Sequence, residues 1–303
     1  MSAGSFQVPR GVIAPLLTPF NDDHSIATDL YVAHAHNLLE TGCAAVAPFG
    51  TTGEALSVGI DERLAAIRAL VDAGVDPNRM IPGTGLSNVA DTARLSRGCL
   101  DIGCAAVMTL PPFYYKGVTE DGLYSYFASL LASIGADARV FLYHIPPIAI
   151  VGIPPRLAAR LHRDFPEQIV GIKDSSGDWD NTRALLEIEG LIVYPGSELP
   201  LINALELGSP GCISATANIN CTAIGQVIDL YDRGEPEAAK SLHAEVARFR
   251  KAVQDYAAIP AQKRLLANST GDQRWAHVRP PLMSMSEEKG RELESVLAAI
   301  RES

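Results

Sequence analysis

"RVFLYHIPP" (residues 139–147) and "QIVGIKDSS" (residues 168–176) decide how this chain is read. Each is a short apolar run that ends in Pro or Ser. A half-exposed strand alternates apolar with polar, whereas a strand buried on both faces reads as one continuous apolar stretch, and these two do. Six further segments share the pattern: "GVIAPLLTPF" (11–20), "CAAVAPFGTTGE" (43–54), "RMIPGTG" (79–85), "CAAVMTLPPF" (104–113), "LIVYPGSE" (191–198) and "GCISATAN" (211–218). Amphipathic stretches such as "TDLYVAHAHNLLETG" (28–42) and "DERLAAIRALVDAG" (61–74) lie between them; Gly74 closes the second as a helix C-cap does. Eight strand-helix repeats predict a closed (β/α)₈ TIM barrel, a fold of about 250 residues. The expected division is a catalytic barrel over 1–232 and a helical C-terminal region over 233–303. Periodicity in "EPEAAKSLHAEVARFRKAVQDY" (235–256) and "EEKGRELESVLAAI" (287–300) supports the second unit. An open doubly wound sheet would offer a glycine-rich fingerprint after its first strand, and "LLTPFNDD" (16–23) is not one.

The bulk composition is globular, with 47% hydrophobic and 20% charged residues in 303. No apolar stretch reaches the roughly 20 residues of a membrane-spanning helix, and "MSAGSFQVPRGV" (1–12) lacks a signal-peptide core, so a cytoplasmic protein without a membrane partner is expected. The formal net charge of −10 disfavours nucleic acid as a partner. Cys43, Cys99, Cys104, Cys212 and Cys221 include no CxxC pair and read as reduced, buried thiols, with a Cys99/Cys104 metal site as the lesser alternative. There is no HExxH, no evident His/carboxylate metal set and no GxSxG elbow.

Active sites of such barrels are built at the C-terminal ends of the strands. Those ends supply Thr18, the "GTTGE" loop (50–54), Thr84, Tyr114, Tyr115, Tyr143, Lys173, Ser197 and "SATAN" (214–218). Lys173 follows "IVGI", so its ammonium is drawn toward the interior. Desolvation lowers a lysine pKa and frees the amine to attack a carbonyl, giving a Schiff base. A lone strand-end lysine is more often a salt-bridge partner, and Asp174 is adjacent. The company of Tyr143, at the end of the preceding strand, favours the nucleophile, because neighbouring strands bring their terminal side chains to one site. "GTTGE" adds hydroxyls and backbone N–H groups that can cradle a small anion, and it lacks the Lys-Ser/Thr ending of a nucleotide P-loop. His34 and His36 fall on different faces of one helix and read as surface or packing residues. His144 beside Tyr143 is the remaining histidine of interest, although a hydrogen-bonding role at the rim is the commoner reading.

In order and spacing, "GTTGE", "PPFYYKG", "YHIP", "GIKDSSGD" and "GCISATAN" resemble the dihydrodipicolinate synthase and N-acetylneuraminate lyase superfamily, from about Gly11 to the C-terminal helices. The resemblance implies a class I pyruvate-dependent aldolase or lyase, or a dehydratase. Lys173 would form the Schiff base with pyruvate or another 2-oxo acid, and Tyr143 would shuttle protons. Gly50, Thr51 and Thr52 would hold the carboxylate, with Thr51 also in a relay to Tyr143. Tyr115 would complete that relay across a subunit interface, implying a homo-oligomer, either a dimer or a tetramer. The backbone of Ile213 would line the pyruvate site. The iminium is itself an electron sink, so the resemblance implies neither metal nor organic cofactor.

One departure bears on substrate. The synthases carry an arginine five residues after the tyrosine, within a pattern like YNVPxRTG, that binds the second substrate's carboxylate. Here the count lands on Ile148, followed by Ala149 and Ile150, and His144 replaces Asn. His144 and Ile148 are therefore candidate contacts to a different second substrate. An isoleucine offers no charge-assisted pair. The expected substrate is a 2-keto-3-deoxy sugar acid or an alkyl- or aryl-substituted 2-oxo acid, with dihydrodipicolinate synthase activity, or a non-catalytic 2-oxo-acid sensor, as alternatives. The apolar stretch at 148–150 reads equally as plain rim packing.

Overall fold

The structure is a computed structural model that describes residues 7–301. Residues 1–6 and 302–303, at the outer ends of the two expected units and in the N-terminal stretch read above, lie outside the described residues. Among the described residues seven parallel strands line the barrel: β1 (Gly11–Ala14), β2 (Cys43–Val46), β3 (Val107–Thr109), β4 (Val140–His144), β5 (Ile169–Asp174), β6 (Ile192–Pro195) and β7 (Gly211–Ile213). They run in the orders β2-β1-β7 and β3-β4-β5-β6.

The expected third strand, "RMIPGTG", is present as a barrel stave without regular strand pairing. Residues 80–84 join β2 to β3 through single bridges, Val46 to Met80 and Gly83 to Met108. Ile81 N donates to Val46 O at 3.0 Å, Gly83 N to Pro48 O at 2.7 Å, and Met108 N to Pro82 O at 2.8 Å. Pro82 has no N–H to give toward β3, and Pro48 has none to give back from the β2 side, which is why the pairing is broken here. Gly83 passes so close to its neighbour that a Cβ there would stand 2.3 Å from Phe49 O. On the other side β6 and β7 lie side by side, and the Ser209 hydroxyl is 2.8 Å from Val193 O and 2.9 Å from Gly211 O. With the unpaired stave counted, the eight-stave TIM barrel closes, and Lys173 stands on the sixth stave.

Burial follows the two-residue period of a strand. Val12, Val140, Leu142 and Ile172 pack outward into the layer between strands and helices. Ile13, Phe141, Tyr143 and Tyr194 point into the barrel. Both sets are buried, so the strands read as unbroken apolar runs. The helix expected over 61–74 is Ile60–Asp72, and Gly74 follows it at φ 91 with its N–H on Val71 O. All five cysteines are free and buried. Among the described residues no helix is long and apolar enough to cross a membrane.

Beyond the helix Ala217–Asp232 come the helices Pro236–Gln254, Ala258–Thr270 and Glu287–Arg301. The middle one has no counterpart in the periodic stretches read from sequence. Its residues Pro260 to Leu265 are all buried, Gln262, Lys263 and Arg264 among them, so polar residues do not mark out an exposed face here.

Candidate active site

Parallel pairing of β4 with β5 sets Tyr143 opposite Lys173 and His144 opposite Asp174. Tyr143 and Lys173 therefore share the inner face, and His144 is turned to the outer one. Lys173 Nζ donates to Tyr143 Oη at 3.4 Å and lies 4.4 Å from the ring centroid. Tyr143 Oη is 3.3 Å from Thr51 Oγ1. Lys173 and Tyr143 are only 4% and 3% exposed, so water cannot easily substitute for these contacts. Both separations are longer than a tight hydrogen bond, as catalytic contacts often are before substrate closes them.

The loop that carries Thr51 is turned by Phe49 and Glu54, which both adopt left-handed backbone at φ 55 and φ 54. Gly50 O accepts from Gly53 N at 3.1 Å and from Ala55 N at 3.3 Å, and Thr18 Oγ1 donates to Gly53 O at 2.8 Å. Among the described residues the N–H groups of Thr51 and Thr52 reach no protein acceptor. Partly or wholly buried N–H groups left open in a turn are ready partners for a carboxylate.

The loop is anchored from beneath by residues that sequence reasoning missed. Glu54 takes the Lys263 ammonium on Oε1 at 2.6 Å and the Arg279 N–H on Oε2 at 2.9 Å. Lys263 also donates to Thr18 O at 2.8 Å, and the Glu54 and Lys263 side chains are both fully shielded from solvent. Burial pushes the Lys263 ammonium down to about 8, against the pull of Glu54. Arg279, shortly after the 3₁₀ turn Gln273–Ala276, ties that segment to Ser57 O at 2.9 Å and to Glu62 at 2.6 Å. The helical C-terminal segment thus contributes to the site. The available signal was the Glu of "GTTGE": a carboxylate in a buried turn demands a cation.

A cavity of about 240 Å³ opens in front of Tyr143 and Thr51. Gly50 and Ile148 line it, as do Ile259 and Leu282 from the C-terminal segment. Ile148 is 62% exposed, at the end of the short helix Pro146–Ala149. Ile150 then adopts φ 64, ψ −48, and Val151 N donates to Ala149 O at 2.7 Å. This is a γ-turn of the strained, positive-φ kind, in a β-branched residue. A larger crevice of about 570 Å³, next to Cys221, Phe249 and Leu297, is a separate hollow whose lining includes none of these groups.

Two of the expected site residues, His144 and Tyr115, are not gathered with Lys173, Tyr143 and Thr51. The His144 ring accepts a hydrogen bond from Ile153 N at 2.7 Å and faces Gly152 on the outer side. Burial lowers its pKa, partly offset by Asp174. The strand period that brings Tyr143 inward excludes it from the cavity. Tyr115 is 71% exposed and packs edge-on with Tyr114 at 5.7 Å, outside the Lys173–Tyr143–Thr51 cluster. The Ile213 side chain is buried in the same interior cluster as Tyr143, and, like Lys173, it is not among the residues that line the cavity. Other strand-end polar residues satisfy one another: Thr84 bonds Thr109 at 3.0 Å and Ser96 at 2.8 Å, while Ser214 and Thr216 donate to the buried carboxylate of Glu198.

Comparison with known proteins bears on the family and the fold. The model of the dihydrodipicolinate synthetase family matches residues 8–300. An uncharacterised DapA-like lyase of Chloroflexus aurantiacus is 33% identical over 283 residues, covering 93% of this chain and 93% of that protein. A 4-hydroxy-tetrahydrodipicolinate synthase of Listeria monocytogenes is 29% identical over 293 residues, covering 95% of this chain and 98% of the other. The crystal structure of dihydrodipicolinate synthase from Agrobacterium tumefaciens is similar with a TM-score of 0.87 at 34% identity, over 96% of this chain and 99% of that one.

Proposed function

The chain belongs to the dihydrodipicolinate synthetase family, and from that premise we propose that it is a Schiff-base-forming, pyruvate-dependent aldolase or lyase acting on a 2-oxo acid. The observation that carries this reading is the buried chain Lys173–Tyr143–Thr51 beside a loop with open N–H groups. The Lys173 amine attacks the C2 carbonyl of pyruvate, and loss of water leaves an iminium. The carboxylate rests on the N–H groups of Thr51 and Thr52. The positive iminium lets a proton leave the adjacent methyl carbon, with the electron pair becoming an enamine. Tyr143, set between Lys173 and Thr51, is placed to take and return that proton. The enamine carbon then bonds to an aldehyde carbonyl carbon, whose oxygen takes up a proton. Water hydrolyses the new iminium, releasing product and restoring the amine. The reverse sequence cleaves the same bond; with a longer 2-oxo acid that bears a hydroxyl at C4, the enamine can instead expel that hydroxyl as water once it takes up a proton, which gives a dehydratase. The iminium supplies the electron sink, so the sequence calls on no metal or organic cofactor.

The catalytic unit is the barrel at 1–232, and the helices of 233–303 anchor its substrate loop. Tyr114 and Tyr115, at 75% and 71% exposure, form an aromatic pair suited to burial against a second copy, which supports a homo-oligomer. The free cysteines fit the reducing cytoplasm. Dihydrodipicolinate synthase activity is the second reading, favoured by the Listeria relative. The apolar Ile148 at the cavity wall argues against it. Borohydride reduction in the presence of pyruvate tests the main reading: the pyruvyl mass should appear on Lys173, and a folded enzyme that gains no adduct would refute it. Condensation of pyruvate with aspartate semialdehyde at a rate comparable to other aldehydes would restore the second.

A further inference from the structure

The cavity in front of Tyr143 has few polar side chains for the second reactant. Its hydroxyls are those of Thr51, Tyr143 and Ser57, and its charged groups are Glu54 and Lys116. Thr51 and Tyr143 belong to the pyruvate end, and Glu54 is held by Lys263 and Arg279. Ser57 and Lys116 remain. The rest of the wall is apolar, with Leu110, Phe113, Ile145 and Ile148 among it. A polyhydroxylated chain entering this space gives up water at each hydroxyl and finds few partners in return. An alkyl or aryl body gains by leaving water.

Lys116 is the informative group. Its ammonium donates to Phe113 O and reaches Ala149 O at 3.4 Å, so it spans the two loops that form the outer wall. Among the described residues no carboxylate lies within ion-pair distance of it. On a protein of net charge −10, an unpaired ammonium at a cavity mouth is a local positive focus for an incoming anion. We propose that the second reactant is an aldehyde with an apolar alkyl or aryl body and a distal carboxylate, and that Lys116 binds that carboxylate. This rests on the reading of Lys173 as the pyruvate-binding amine: the pyruvate-derived carbon bonds to the aldehyde at the Tyr143 end, while the carboxylate stays at the Lys116 end.

The test compares the wild type with K116M and K116R in the addition of pyruvate to benzaldehyde, para-carboxybenzaldehyde and glyceraldehyde. The wild type should show a KM for the carboxylated aldehyde lower than for benzaldehyde by roughly fivefold or more, the scale of one partly exposed charge-assisted contact. K116M should erase that ratio and K116R should keep most of it. A wild type without the preference, a ratio that survives K116M, or glyceraldehyde as the best of the three overturns the inference. Borohydride trapping with pyruvate runs alongside on each protein. A missing adduct on the wild type refutes the Schiff-base reading itself, whereas an adduct with an unchanged ratio refutes only the role of Lys116.

Discussion

Replacing Lys263 by Met should cost more stability than any surface change and should also slow the enzyme. The substitution preserves much of the side chain's length and removes the cation that meets Glu54 at 2.6 Å and Thr18 O at 2.8 Å. Neither Glu54 nor Lys263 has exposed side-chain surface, so water does not replace the lost partner. A buried carboxylate stripped of its cation costs about 3–5 kcal/mol. The pair itself is not a source of stability. Burial holds the Lys263 ammonium at about 8, below its ordinary 10.5, and that depression corresponds to about 3 kcal/mol of desolvation that Glu54 does not recover. The sign follows from proton counts: between about 8 and 10.5 the unfolded chain holds the extra proton, so wild-type stability rises with pH across that window. K263M should lack the rise. Urea denaturation of the wild type, K263M, E54Q and the double variant measures the cycle. The double variant should regain about 2 kcal/mol over K263M, because a neutral amide no longer needs the cation. Since Glu54 closes the turn that carries Thr51, K263M should also lower kcat. A loss below about 1 kcal/mol in K263M, or a double variant no more stable than the single, would refute the argument.

Tyr143→Phe keeps the ring beside Lys173 and removes the hydroxyl between it and Thr51; kcat should fall by about 10²–10⁴, with the borohydride adduct still forming. A kcat within threefold of wild type, roughly 0.6 kcal/mol, would remove Tyr143 from the proton path. His34 is buried against Asn218 and Trp275, and burial drives its imidazole down to about 4. The unfolded chain therefore binds a proton more readily below 6.5, and stability should fall by about 3 kcal/mol as pH drops from 6.5 toward 4. His34→Gln should flatten this part of the pH profile, and an equal acid loss in both proteins contradicts the assignment. Ile150→Gly relieves a positive φ of 64 at a residue that is 65% exposed. Strain of about 1–3 kcal/mol outweighs glycine's own entropic cost, so denaturation should shift by about 1 kcal/mol toward stability. A destabilised variant would mean that the turn is not strained.

The barrel and the juxtaposition of Tyr143 with Lys173 were legible because both rest on the strand period. Continuous apolar runs come from burial on two faces, and the terminal polar residues of adjacent runs, Tyr143 and Lys173, fall at one end of the barrel. The same period, followed one residue further, turns His144 away from the cavity, so that misplacement was avoidable. The third stave was located but its pairing was not, because Pro82 withholds the donor that regular pairing needs. Lys263 was missed for a different reason. Pattern reading finds helices by the contrast between a wet and a dry face, and Ala258–Thr270 buries nearly its whole middle. Its lysine becomes legible only from the carboxylate at the other end of the contact, Glu54, which lies 209 residues away in sequence.

The two ends of the cavity are built from materials of different stiffness. Tyr143 sits within paired strands with Lys173 hydrogen-bonded to it, and Thr51 sits in a turn held by a shielded ion pair, so the proposed pyruvate end has little freedom to drift. The opposite wall is the segment from Ile145 to Ile150, a single helical turn that ends in an exposed, strained residue and is tied across by the Lys116 ammonium. A loop wall of this kind tolerates exchange of its side chains without moving the strands beneath it. Selection of the second reactant is thus separable from the chemistry at Lys173. If Lys116 holds the second reactant, residues 145–150 and Lys116 carry the information about substrate, while Lys173, Tyr143 and Thr51 carry the information about reaction type. Grafting another wall onto this barrel should change which aldehyde is used and leave the pyruvate adduct intact. Loss of the adduct on such a graft would show that the two ends are mechanically coupled after all.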